Sequence, residues 1–250
     1  MAVLLEGGCR VTGFKDGEPA INGTLSVWPQ IGRANGASAI SLRTMEFTQG
    51  LSHSFQNPEC DEILYVLQGT ATIQIGGYSY TVDPETGVYM QPGETFTINN
   101  PNSESLVLIS SQCPEPPTTD VLLSTASPGA NPTERLRIVR LADRQAVPTA
   151  DRWYRVLVDE EVGSKQATQF VGSIPPGRAP DHFHNYEEVL FILRGVGRMW
   201  AGKTHTPIAF GSCIYLPKGQ VHCVENTGDG ELRLLGVFYP AGSPSVRYDV

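Results

Sequence analysis

The octapeptide EILYVLQG at Glu62–Gly69 recurs as EVLFILRG at Glu188–Gly195, 126 positions later in a chain of 250 residues. Asn100 and Asn226 keep that 126-residue offset and Pro92 and Pro217 lie 125 apart, so the two copies slip by one residue locally. A repeat at half the chain length means two tandem copies of one fold, each of about 125 residues and large enough for its own core.

Both copies read as strands. Ala71, Ile73 and Ile75 alternate with Thr70, Thr72 and Gln74, the period-two pattern of a sheet with one buried face. Gly76-Gly77 and Gly87 punctuate the first copy, and Gly202 and Gly211 the second. SLVLIS and LRLLGVFY are β-rich, and amphipathic helix patterns are few. The 26 glycines and 19 prolines fall between short apolar runs, which predicts many turns and an all-β sandwich or barrel. The Pro-, Ser- and Thr-rich segment 113–135 is the expected linker between an N-terminal domain, 1–112, and a C-terminal one, 136–250.

A net charge of −8 argues against nucleic-acid or anionic-membrane partners. No apolar run approaches the roughly 20 residues that span a bilayer. The start, MAVLLEGGCR, has too short an apolar stretch and no basic leader for a signal peptide. Five cysteines without CxxC spacing suit reduced thiols, chiefly small buried hydrophobes, so a cytoplasmic location is expected.

The second copy concentrates chemistry. His182 and His184, two apart in an extended segment, present both imidazoles to one side. Glu188 follows around a bend, and His222 comes from a later strand across a hairpin. Neutral imidazoles with a carboxylate suit a first-row divalent ion. His205, in the expected turn GKTHTP, reads as solvent-exposed, and Glu187, pointing away from Glu188, as a solvated neighbour. The first copy keeps Glu62 in place of Glu188 but has no HxH at the right distance. His53-x-Phe55, with an insertion of three residues, puts Phe55 where the second histidine would be, and Phe96 stands where His222 does. A metal-free first domain is expected, with Phe55 and Phe96 packing its interior.

His182-x-His184-x3-Glu188-x6-Gly195, followed by Gly211-x5-Pro217-x-Gly219-x2-His222-x3-Asn226, resembles the two motifs of the cupin superfamily. The second motif fits throughout; in the first, Gly177 sits one residue closer to the histidines than the family spacing. The resemblance covers both halves and implies a bicupin, two tandem jelly-roll β-barrels, with one divalent metal per chain on His182, His184, Glu188 and His222. It also implies a possible homodimer, since cupins often pair through their sheets. It does not choose a reaction, because the superfamily includes dioxygenases, decarboxylases, isomerases, epimerases, hydrolases and non-catalytic binders.

Ligand count narrows the chemistry. Four protein ligands saturate a tetrahedral zinc, whereas a six-coordinate ion keeps two positions for water, O2 or a bidentate substrate. Iron or manganese is therefore favoured, with nickel, cobalt or five-coordinate zinc as alternatives. The expected substrate is a small molecule with adjacent oxygens, such as a hydroxy or keto acid. Fe(II)-dependent dioxygenation is the leading reaction. A metal-assisted isomerase, epimerase or hydrolase, and a non-catalytic binder, are the alternatives. Arg178, just before the ligands, is a candidate carboxylate clamp or an ordinary loop arginine, and Met199, with Gly197 and Ala201, is expected to face inward and line the pocket.

Overall fold

The computed structural model describes residues 1–117, 136–246 and 248–249. Most of the expected linker, 118–135, lies outside the described residues. The described chain is nearly all antiparallel β, with helical structure limited to three-residue 3-10 turns. No helix among the described residues is long and apolar enough to cross a membrane. All five cysteines are free and buried.

Four sheets make two barrels. In the first, a 7-stranded sheet containing Asp61–Gln68 faces a 5-stranded sheet containing Thr95–Asn100. In the second, an 8-stranded sheet containing Glu187–Arg194 faces a 6-stranded sheet containing His222–Asn226. The repeated octapeptide supplies a central strand of each large sheet, and register explains why it is apolar on both faces. Leu64 and Val66 enter the first barrel's core, and Leu190 and Ile192 the second's. Their neighbours Ile63, Tyr65, Val189 and Phe191 meet in a third core shared by both halves. A strand buried on both sides reads as a continuous apolar run rather than an alternation.

The closing glycines of the repeat are also explained by packing. Gly69 and Gly195 have φ of +85° and +89°, and a Cβ there would come within 2.8 Å of Ser105 O and 2.9 Å of Glu231 O. Any other residue would meet both a left-handed backbone and a clash.

The sheets cross the boundaries expected from composition. Arg10–Gly13 pairs with Ser212–Leu216 in the second barrel, although it lies at the start of the chain. Ile138–Arg140 pairs back with Thr86–Met90 in the first barrel. Each half thus covers a sheet edge of the other, which would otherwise present unpaired backbone groups. Edge strands of two to four residues leave no compositional mark, so the 1–112 and 136–250 bounds miss the exchange.

Candidate metal centre

His182 and His222 lie directly opposite one another on paired strands, with ring centroids 4.5 Å apart. The strand holding His182 ends at Phe183, so His184 belongs to the bend that follows; its ring still lies 5.0 Å from that of His182. Glu188, on the central strand, points its Oε2 at Nε2 of His184 (3.8 Å) and of His222 (3.7 Å). The three imidazoles each offer a ligand nitrogen within 4.8 Å of the others, a group that could hold a metal ion.

Each imidazole is turned by its other nitrogen. Nδ1 of His182 lies 3.0 Å from Pro180 O, and Nδ1 of His222 lies 2.8 Å from Gln220 O. A proton on Nδ1 donated to these carbonyls leaves the Nε2 lone pair for the centre. His184 Nδ1 lies 3.1 Å from the Tyr186 hydroxyl, which is also 3.2 Å from Ser243 O. Tyr186 stacks on the His184 ring at 4.9 Å and packs on Phe238, a supporting role that no sequence spacing revealed.

Electrostatics make the set fit a cation. Burial, and then the charge of His182, pulls His184 down to about 4 and His222 down to about 3, so both are neutral donors at pH 7. Burial pushes Glu188 up to about 8, and its Oε2 has no hydrogen-bond partner among the described residues. A buried carboxylate oxygen without a donor is costly, and a divalent ion between it and three imidazole lone pairs would remove that cost.

These shifts oppose one another in the metal-free protein. His184 and His222 lie below their ordinary 6.5, so the stability they confer is lost as pH falls below 6.5. Glu188 lies above its ordinary 4.5, so its contribution is present at low pH and lost as pH rises towards 8. From pH 6.5 to 8, chelator-treated wild type is expected to lose stability relative to Glu188→Gln. Denaturant titrations at both pH values check this, and parallel behaviour of the two proteins would count against it.

A cavity of about 110 Å³ joins the four residues to Arg152, Tyr154, Ser173 and apolar walls that include Phe170, Leu190 and Phe238. Neither Arg178 nor Met199 lines it. Arg178 bonds Asp181 at 3.0 Å and lies 4.3 Å over the Trp200 ring, so its charge is spent at the surface. Met199 does face inward as strand parity requires, but it is fully buried in the barrel core. Arg152 is the cationic side chain in the cavity wall, its Nε donating to Asp151 at 3.1 Å. Sequence reasoning passed over it because it lies 30 residues before His182, on an edge-proximal strand. His205 is exposed, as expected, but on a strand rather than in a turn. Glu187 is not a solvated neighbour: it is buried and fully engaged with the other barrel.

In the first barrel the same carboxylate position is satisfied by protein donors. Phe55 pairs with Phe96 as His182 pairs with His222, which aligns Phe55 with the first histidine and Asn57 with His184. The expected insertion of three residues thus reduces to one, between Asn57 and Glu62. Glu62 is held by Arg43 Nη2 at 2.7 Å, Asn57 Nδ2 at 2.6 Å, Gln112 Nε2 at 3.1 Å and the Ser110 hydroxyl. Register makes Arg43, Ser110 and Gln112 equivalent to Phe170, Gly236 and Phe238 of the second barrel. One barrel surrounds its carboxylate with an internal cation and donors; the other surrounds it with apolar walls and imidazoles.

Residues 170–238 match the cupin domain family. The chain superposes on oxalate decarboxylase of Bacillus subtilis with a TM-score of 0.75, covering 93% of this chain and 78% of that one at 16% identity. The chain has the bicupin fold. The Escherichia coli protein Ylba gives a TM-score of 0.74 at 13% identity, covering 95% of this chain and 93% of that one. Auxin-binding protein 1 of Arabidopsis thaliana is 32% identical over 83 residues, which are 29% of this chain and 42% of that curated relative. The Bacillus enzyme contains Mn(II) centres.

Proposed function

We propose that this chain is a metal-dependent enzyme acting on a small oxygenated organic acid, with one divalent ion, iron or manganese, on His182, His184, Glu188 and His222. The observation that carries this reading is the partnerless Oε2 of Glu188, buried against two imidazole Nε2 atoms at the floor of a cavity. A bound ion would supply Lewis acidity and, if iron, electrons for O2. The chain's own residues do the rest. The Nδ1 contacts of the three histidines keep their lone pairs converging, and Phe170, Leu190, Leu234 and Phe238 keep water from the floor.

Arg152 holds the substrate carboxylate. Glu188 lies opposite Phe238, which lies opposite Thr168, whereas Trp153, next to Arg152, lies opposite Ser173 further along the same strand. The cavity therefore runs along the sheet from the imidazoles to a guanidinium. Charge-assisted hydrogen bonds contribute about 1.5–3 kcal/mol each, so Arg152→Ala is expected to raise KM for an acid substrate by roughly 10- to 100-fold. Metal content should be unchanged; a KM unaffected by the substitution would remove Arg152 from this role.

Dioxygenation is the favoured reaction. Among the described residues, the cavity is lined by no carboxylate or imidazole beyond the four proposed ligands that could serve as a separate general base. That favours chemistry supplied by the ion over isomerisation or hydrolysis, which call for proton transfer by a side chain. The test is turnover of hydroxy and keto acids with O2 uptake recorded in parallel. Turnover that persists under strict anaerobiosis overturns dioxygenation in favour of lyase, isomerase or hydrolase chemistry. The likeness to an auxin-binding protein supports a second reading, a non-catalytic binder of a small acid, expected to bind such ligands stoichiometrically without product.

A further inference from the structure

We infer that Glu187 is a positioning residue for the metal centre and that the first barrel holds it in place; this rests on the reading that Glu188 and the histidines bind a metal. Glu187 begins the central strand, between the bend that carries His184 and the ligand Glu188. Its side chain points away from the cavity into the junction between barrels and is 7% exposed. There Oε1 accepts the Ser38 N–H at 2.7 Å, and Oε2 accepts the Ala39 N–H at 2.8 Å. The Tyr215 hydroxyl, on the neighbouring strand, donates to Oε1 as well. Three donors on one buried carboxylate, two of them from rigid backbone, fix its position. Successive Cα atoms are about 3.8 Å apart, so a displaced Glu187 carries Glu188 with it.

The contact has a counterpart across the molecule. Asp61 accepts from the Tyr89 hydroxyl at 3.1 Å and from the Ser164 hydroxyl at 3.3 Å, and Ser164 belongs to the second barrel. Asp61 and Glu187, Tyr89 and Tyr215, and Ser38 and Ser164 each lie 126 apart, the offset of the repeat. Both loops follow a 3-10 turn closed by a left-handed glycine, Gly36 in one and Gly163 in the other. Each barrel therefore grips the strand that carries the other's buried glutamate. In the first barrel that glutamate is Glu62, already held by Arg43; in the second it is a ligand, so only the Glu187 grip bears on metal binding.

This pairing supplies its own control. Mn(II) affinity is measured by competition with a chromophoric chelator, and the Mn(II) EPR spectrum and melting temperature are recorded alongside. Glu187→Gln is expected to weaken Mn(II) binding by about tenfold or more, as loss of a group supporting a ligand does, and to alter the EPR spectrum. Asp61→Asn breaks the equivalent grip and should lower the melting temperature, while leaving Mn(II) affinity within about twofold of wild type. Tyr215→Phe, which removes a single donor and spares the fold, should give a smaller loss in the direction of Glu187→Gln. Wild type that takes up neither Mn(II) nor Fe(II) overturns the metal centre, and this role with it. Wild type that binds while Glu187→Gln binds equally well, or while Asp61→Asn loses as much, overturns the positioning role alone.

Discussion

His222→Ala is expected to lower metal affinity on the order of 100-fold or more, since even a residue that only supports a ligand costs 10- to 100-fold. His222 is the proposed ligand borne on a strand: it lies opposite His182 and its Nε2 is 3.7 Å from Glu188 Oε2. A ligand that binds only the native state stabilises it by about 2.7 kcal/mol at a concentration of 100 Kd. Wild type should therefore melt higher with added Mn(II) or Fe(II), whereas His222→Ala should barely respond. Elemental analysis of protein purified without added metal should find about one equivalent per chain in wild type and none in the variant. Two equivalents in wild type would place a second ion in the first barrel and contradict the assignment of Glu62 to Arg43.

Arg43→Met is expected to destabilise the protein by about 3–5 kcal/mol, the usual consequence of removing one partner of a buried ion pair. Arg43 and Glu62 have side-chain exposures of only 7% and 2%, so solvent cannot compensate the charge left behind. Replacing both, as Arg43→Met with Glu62→Leu, should recover much of the loss, because a well-packed apolar pair avoids the desolvation cost. Urea denaturation of the two variants checks this; a loss below 1 kcal/mol in the single variant, or no recovery in the double, would show that the pair is not the first barrel's substitute for a metal. Mn(II) binding at His182, His184, Glu188 and His222 should be preserved in both.

The site was legible in proportion to how local its determinants are. His182, His184 and Glu188 fall within seven residues, and their spacing through one bend already placed them on one side. His222 was legible because it stands four residues before Asn226, as Phe96 stands before Asn100 in the other copy. Nearness along the chain made Arg178 a candidate clamp beside the alternative of an ordinary loop arginine; Asp181 and Trp200 draw it to the surface. Arg152 was missed for the converse reason. Asn57 was missed because alignment of Phe55 with the second histidine rested on the ligand pattern, whereas strand pairing with Phe96 sets the true register.

What the sequence by itself determined is the duplication, the β character, and the imidazole-carboxylate pattern of the second half that the first half lacks. All of these follow from period-two patterning and from a fixed offset, which are properties of neighbouring residues and of comparison between copies. Only the tertiary structure decided what surrounds each buried carboxylate: Arg43 and its companions for Glu62, imidazoles and apolar walls for Glu188, and the Ser38–Ala39 backbone for Glu187. Such partners arrive through sheet register and loop docking from as far as 149 residues away. A carboxylate must find its counter-charge in space, and a linear pattern holds no record of which strand will bring it.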